Sequence, residues 1–265
     1  MGRWGCGGIS RFCHQRITII PLAGPANQQG RVAAEAIFGR DSHFRGIQGT
    51  SVCGVFGLVI ATTGVNEKTL QRLGWEYAKV YLHPGHHVGY YPNAKAIDLK
   101  LLFSPKDGRI LGAQAIGEEG VEKRIDVIAM AIQSHSTVFD LEQAQLCYAP
   151  QFGAAKDPVN LAGMIAANAL RGDTPLADWQ QLADLEGMLV DVREVGEFAA
   201  GHVEGAVNIP LSQLRDRLSE FPSDQKIYVY CQVGQRAHYA TRILRLNGFD
   251  ASNLSGGFKT YQGVH

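Results

Sequence analysis

Several absences narrow this 265-residue sequence before any motif is considered. No apolar run is long enough to cross a membrane. The longest, Val52 to Ala61, holds two glycines and falls well short of the ~20 residues a spanning helix needs. No charge of either sign is in excess: Lys plus Arg and Asp plus Glu each number 25. The balance leaves no basic field for nucleic acid and no charged tail. The charged start is followed by no apolar segment of the kind a secretory signal requires. The five cysteines (Cys6, Cys13, Cys53, Cys147 and Cys231) are odd in number, scattered and free of Cys-x-x-Cys spacing. This excludes a disulfide framework and suits a reducing cytoplasm. His83, His86 and His87 lie close together, but Pro84-Gly85 between them indicates a surface turn rather than a metal site. No G-x-G-x-x-G stretch follows a strand, so neither nucleotide-binding fold is expected. The length suffices for two ordinary domains.

What is present centres on Lys226-Ile-Tyr-Val-Tyr-Cys231-Gln-Val-Gly-Gln-Arg236. A short β-forming run ends on a cysteine, a glycine-containing loop follows, and apolar residues then recur at helical spacing from Ala237 to Leu246, with Gly248 as the stop. Cys231 is therefore expected where a strand hands over to a helix N-terminus. Free backbone N–H groups and the positive end of the helix dipole converge at such a place and stabilise a thiolate or a bound anion. Arg236 adds a fixed positive charge suited to an oxyanion or a persulfide. The spacing is Cys-x4-Arg, shorter than the Cys-x5-Arg of tyrosine phosphatases, and Tyr230 rather than histidine precedes the cysteine. A buried, inert cysteine at a strand end is the plain alternative.

The flanks extend the pattern. Leu189-Val-Asp-Val-Arg-Glu194, Glu197-Phe198, Gly201-His202-Val203, Gly205-Ala-Val-Asn-Ile-Pro210 and Gly256-Gly257 resemble a single rhodanese domain over residues 174–265. The resemblance implies that Cys231 is a persulfide-carrying nucleophile, that Gln232, Val233, Gly234 and Gln235 form its cradle up to Arg236, and that Asp191, Arg193 and His202 hold the fold and the pocket rim. Sulfane sulfur donors and thiol acceptors such as coenzyme A are the partners it implies. Strands at Met188–Val192, Ala206–Ile209 and Ile227–Tyr230 alternate with helices at Glu194–Ala199 and Gln213–Phe221. This predicts an α/β domain with a central, mostly parallel sheet.

Upstream, Ile17 to Gly39 reads as an extended entry and a helix from about Asn27 to Phe38. Strands are expected at Val52–Leu58 with Val59–Thr62, Trp75–Tyr81, Ala96–Phe103 and Ile110–Gly117. Ile125, Ile128, Ala129 and Ile132 mark one apolar helical face. Thr137 with Asp140, and Asp157 before Pro158, mark two further helix starts. This α+β pattern resembles the flavin-dependent pyridine nucleotide-disulfide oxidoreductases of the coenzyme A-disulfide or polysulfide reductase branch. The resemblance implies a remnant of the FAD-binding domain at 17–49, with Pro25 and Asn27 beside the flavin, and a dimerisation domain at 50–171. It also implies that Tyr148, with Tyr90 or Tyr91, reaches a partner subunit's disulfide site, where a hydroxyl can donate to a departing sulfur. Exposed interface tyrosines are the plain alternative. The apolar helix faces and the Tyr148 segment are expected to meet a second copy in a homodimer. Lys123 and Arg124 are candidates for coenzyme A phosphates, or simply solvated charges.

The family's flavin-domain redox cysteine and both its nucleotide folds are missing from this sequence, and residues 1–16 have no usable period. The expectation is an unstructured or aberrant leader on a truncated reductase, with FAD implied by the family but not retained, and NAD(P)H and coenzyme A belonging to the parent enzyme. The activity expected of the chain is sulfurtransferase. A non-catalytic remnant that only dimerises or docks on an intact reductase is the alternative.

Overall fold

The computed structural model describes residues 7–9, 17–184 and 186–264. Strand β1 (Gly7–Ile9) pairs antiparallel with β2 (Ile17–Ile19), so the stretch expected to be an unstructured leader contains one short strand; residues 1–6 and 10–16 lie outside the described residues. Helix α1 spans Ala23–Ile37, four residues earlier than the pattern predicts. Pro25 sits in its first turn, where a missing N–H is no loss and the fixed φ favours the helix. No residue of α1 is buried.

The first domain is built on an antiparallel sheet. Strands β3 (Ser51–Val55) and β4 (Leu58–Gly64) form a hairpin through Phe56 and Gly57, which both take positive φ (49° and 82°). Two consecutive left-handed residues match the twist of a tight hairpin, so the single expected strand over Val52–Leu58 is broken there. Helix α2 (Glu67–Leu73), which periodicity did not reveal, is capped by the Asn66 side chain accepting the Thr69 N–H. Strands β5 (Ala78–Leu82), β6 (Ile97–Phe103) and β7 (Ile110–Gly117) complete the sheet in the order β3-β4-β7-β6-β5. One sheet face is covered by α3 (Val121–Gln133) and α5 (Pro158–Leu170), with α4 (Val138–Gln143) packed on α5. Capping boxes at Thr137/Asp140 and Asp157/Asn160 start α4 and α5, with Pro158 at the first turn of α5. Leu99, Leu101, Ile125, Ile128, Val159 and Ala166 are buried together. The apolar faces of α3 and α5 thus face their own sheet rather than a second copy. Arg124 is not a solvated or phosphate-seeking charge. It is buried, pairs with Asp157 at 2.9 Å and donates to the carbonyls of His86 and Gly120 at 2.6 and 3.1 Å.

The second domain has a parallel sheet. Its strands are β8 (Leu176–Ala177), β9 (Met188–Asp191), β10 (Val207–Asn208), β11 (Ile227–Tyr230) and β12 (Ala251–Leu254), in the order β10-β9-β11-β12-β8. Helices α6 (Val195–Ala199), α7 (Gln235–Leu246) and α8 (Gly257–Val264) accompany it. All four residues of central β11 are buried, which explains its unbroken apolar run. The helix expected over Gln213–Phe221 does not form. Successive N–H groups there bond three residues back (Gln213 to Pro210, Leu214 to Leu211, Asp216 to Gln213), and only Leu218–Glu220 is a 3-10 turn. Pro222 holds Phe221 extended and ends the segment, while Leu214 is still buried.

The two domains meet along β5. Lys79 pairs with Glu67 at 2.7 Å and with Asp178 of the second domain at 2.5 Å. The Tyr81 N–H donates to Ser255 at 2.9 Å. The three histidines are not on a surface turn: His86 and His87 are buried, and the His83 side chain is only 8% exposed, bonded to Asp98 and to Thr260 across the seam. Among the described residues no cluster suits a metal.

Candidate active site

Cys231 sits at the carboxyl end of β11, 1% exposed, and the loop that follows winds into α7. Gly234 caps that helix in the left-handed region (φ 94°), a turn that β-carbon-bearing residues resist. This places its N–H on the Cys231 Sγ at 3.2 Å. The loop is held from behind by the start of α8. The Phe258 N–H donates to the Cys231 carbonyl at 2.7 Å and the Lys259 N–H to the Gln232 carbonyl at 3.0 Å. Asn253 donates to the Gly234 carbonyl at 3.1 Å. Gly257 presses so closely that a β-carbon would lie 2.3 Å from the Cys231 carbonyl oxygen, which explains the second glycine of the Gly-Gly pair.

Charge at the loop comes from Arg236, whose guanidinium holds Glu197 in a bidentate pair at 2.6 and 2.7 Å. Glu197 first, with Cys231 adding in the same direction, raises the Arg236 pKa and keeps it cationic beside the sulfur. In return, the Arg236 hydrogen bonds hold the Glu197 carboxyl at about 2. The sign follows: the pair is intact above the usual carboxylate range and is lost as pH falls from about 4.5 toward about 2. Neutral pH therefore leaves Arg236 charged but partly satisfied. Arg193, buried on Asp191 at 2.7 Å, reaches the Gln232 side chain at 3.2 Å. His202 stacks on Phe198 (3.8 Å between ring centres) at the rim. Among the loop side chains Val233 and Gln235 are exposed and Gln232 half-buried.

The expected residues thus fall into three groups. Cys231, Gln232, Val233, Gly234, Gln235 and Arg236 form one loop. Tyr90 and Tyr148 meet through their hydroxyls at 3.0 Å on the first domain, both exposed, and this contact raises the Tyr148 pKa. Tyr91 stands apart, edge-on to His87 at 5.4 Å. Pro25 lies in the first turn and Asn27 in the second turn of a helix with no buried residue, and Asn27 is exposed. They supply neither an enclosure nor a phosphate cradle, so the residues present do not by themselves fit a flavin. Glu197 and the α8 start were not foreseen as site elements. Glu197-Phe198 and Gly256-Gly257 stand in the rhodanese-like motifs, but their contacts with the loop join residues up to 39 positions apart.

A cysteine at the end of a parallel central strand, in a Cys-x4-Arg loop, defines a rhodanese-like domain, here mounted on an antiparallel α+β platform. Family comparison agrees: residues 176–263 match the rhodanese-like domain, and residues 50–157 match the pyridine nucleotide-disulphide oxidoreductase dimerisation domain. The chain therefore joins these two domains. Among curated relatives, the coenzyme A disulfide reductases of Staphylococcus epidermidis and Staphylococcus haemolyticus are 34% and 35% identical over 145 residues. That is 54% of this chain and 33% and 32% of the relatives, so the chain spans about a third of their length. Two solved structures superpose over 96% of this chain and 46% of their own. Reduced Bacillus anthracis CoADR-RHD gives a TM-score of 0.93 at 46% identity. The NAD-dependent persulfide reductase from A. fulgidus gives 0.85 at 35%.

Proposed function

We propose that the chain is a rhodanese-type sulfurtransferase carrying sulfane sulfur as a Cys231 persulfide, on the dimerisation domain of a coenzyme A-disulfide or persulfide reductase. One observation carries the proposal: Cys231, the one buried thiol among the described residues, has a backbone donor on its sulfur and an arginine beside it. The Cys231 thiolate attacks the outer sulfur of thiosulfate. The S–S bond breaks and sulfite leaves with the electron pair. The persulfide anion left on Cys231 lies among the loop N–H groups, with Arg236 near its charge. A nucleophile such as cyanide or a coenzyme A thiolate then takes the terminal sulfur and restores the Cys231 thiolate. Loop N–H groups and Arg236 stabilise both departing anions without the solvent reorganisation that water would need. A thiosulfate–cyanide assay on the purified chain tests this reading. Thiocyanate formation is expected, and an inactive folded protein would overturn it.

Arg236→Ala is expected to lower transfer from thiosulfate by roughly 10²-fold, the scale of deleting one preorganised donor. Transfer from an uncharged organic polysulfide should fall much less, because the substitution removes charge and leaves the nucleophile. Equal losses with both donors would contradict this role.

The dimerisation domain implies a homodimer. In support, Val55, Leu58 and Ile60 share one face of the β3–β4 hairpin, with Phe56 at its tip, and all four are exposed apolar residues of the kind that mark an interface. Sedimentation at micromolar concentration should give a dimer, and a monomer would count against the proposal. The Tyr90–Tyr148 hydroxyl pair is proposed to donate to a departing sulfur on the partner subunit, as the reductase resemblance implies. Since Pro25 and Asn27 frame no flavin cradle, the protein should purify without stoichiometric visible flavin absorbance and without NAD(P)H oxidation. A full flavin complement would contradict that. The free thiols suit a reducing cytoplasm, and among the described residues no helix is long and apolar enough to cross a membrane.

A further inference from the structure

The segment that holds the Cys231 loop from behind is itself held by the other domain. Phe258 and Lys259 donate their N–H groups to the carbonyls of Cys231 and Gln232. Each peptide unit is planar and trans, so pinning those two carbonyls also fixes the N–H directions of Gln232 and Val233, which point the opposite way. The orientation of the loop donors therefore depends on where the start of α8 sits. Three contacts from the first domain set that position. Ser255 accepts the Tyr81 N–H at 2.9 Å, Lys259 reaches Asp98 at 2.5 Å, and Thr260 meets the His83 Nε2 at 2.7 Å. His83 links them, because its Nδ1 lies 2.7 Å from the same Asp98 oxygen that Lys259 reaches. A carboxylate only accepts, so Nδ1 carries the proton and donates to Asp98, leaving Nε2 to accept from the Thr260 hydroxyl.

We propose that His83, oriented by Asp98, is a positioning residue for sulfur transfer: across the domain seam it fixes the start of α8, whose backbone sets the Cys231 loop. This rests on the reading of Cys231 as the sulfur carrier. His83 touches neither donor nor acceptor and acts through Thr260 and its neighbours. The platform is then part of the transferase, not only a mount for it.

The bridge is set for neutral His83. Protonation would place a proton on Nε2, turn the Thr260 hydroxyl from donor to acceptor, and add a second cation on the Asp98 oxygen that Lys259 already uses. The charged and titratable groups around His83 are Asp98 and Lys259, Lys100 and Tyr81 on the same sheet face, and Lys156, His238 and Tyr239 lining the cavity between the domains. Burial lowers the His83 pKa from its ordinary value against the pull of Asp98, so the native seam prefers the neutral ring. A lowered histidine pKa means the contribution is complete above about 6.5 and declines as pH falls below it.

The test is steady-state thiosulfate–cyanide kinetics on the full chain between about pH 5 and pH 8. His83→Ala should lower kcat/KM roughly tenfold at neutral pH, mainly through kcat, as expected for slightly misplaced transition-state donors. His83→Gln, which keeps one donor and one acceptor, should recover most of that loss. It should also lack the acid-side decline that protonation of His83 gives the wild type, since an amide does not titrate there. Ser255→Ala, which removes the acceptor of the Tyr81 N–H, should lower kcat in the same way. Wild-type kcat/KM in His83→Ala, or an unchanged acid limb in His83→Gln, overturns the proposal. If His83→Ala does not fold, the His83→Gln pH profile alone decides. The two readings fail separately. Activity that survives Cys231→Ser removes the sulfur-carrier reading, whereas activity that needs Cys231 but ignores His83 removes only the seam.

Discussion

Replacing Cys231 with serine is expected to abolish sulfur transfer from thiosulfate or polysulfide, by more than about 10³-fold. The attacking species is a thiolate, and a serine hydroxyl is not ionised near neutral pH. Serine is nearly isosteric, accepts the Gly234 N–H and fits the buried position, so the fold and the α8 contacts should survive. The loss would then report chemistry rather than unfolding. Cys53→Ser and Cys147→Ser should leave the rate largely intact: both thiols are exposed, on a sheet-edge strand and an irregular segment of the first domain. Near wild-type turnover in a folded Cys231→Ser protein would make the loop assignment wrong, whatever the other cysteines do.

The largest expected loss of stability follows from Asp191→Ala. Asp191 is fully buried at the end of β9 and takes four hydrogen bonds from Arg193: one from its backbone N–H at 2.9 Å and three from its guanidinium at 2.7–3.1 Å. Removing the carboxylate strands a guanidinium that is only 3% exposed, with the Gly201 carbonyl and the Gln232 side chain as its remaining hydrogen-bond partners. Breaking a buried ion pair from one side destabilises by about 3–5 kcal/mol. Chemical denaturation should show a shift of that size. Arg193→Leu on the Asp191→Ala background should restore part of it, since replacing both partners removes the uncompensated charge. A change below about 1 kcal/mol would mean that Arg193 finds solvent or another partner. Because Arg193 also reaches Gln232, the single variant should weaken the loop as well.

Much of this was legible in the sequence where a feature is local. The β11–Cys231–α7 handover follows from one apolar run, one glycine and one helical repeat. The Asp157-Pro158 helix start lies within four residues, and β7 has the expected limits. Errors arose where a local pattern had two readings. Leu211, Leu214 and Leu218 recur at helical spacing, but their segment closes on three-residue turns. The run Val52–Leu58 looks like one strand because Phe56, in a positive-φ turn, is as apolar as its neighbours. The three histidines around Pro84-Gly85 look polar and turn-like, yet tertiary contacts bury two and bond the third across the seam. Least legible were long-range partners: Glu197 for Arg236, Asp157 for Arg124, and the α8 start for the Cys231 carbonyl. Nothing in local spacing encodes these. They depend on which elements each domain's sheet brings side by side.

The central claim is that sulfur rides on Cys231, and it can be seen without kinetics. The purified chain would be incubated with thiosulfate under non-reducing conditions, digested at low pH and analysed by mass spectrometry. One additional sulfur atom is expected on the peptide containing Cys231, absent from the peptides with Cys53 and Cys147, and removed by cyanide with release of thiocyanate. A Cys231 peptide that stays at its unmodified mass while sulfur appears on another cysteine, or on none, would contradict the account.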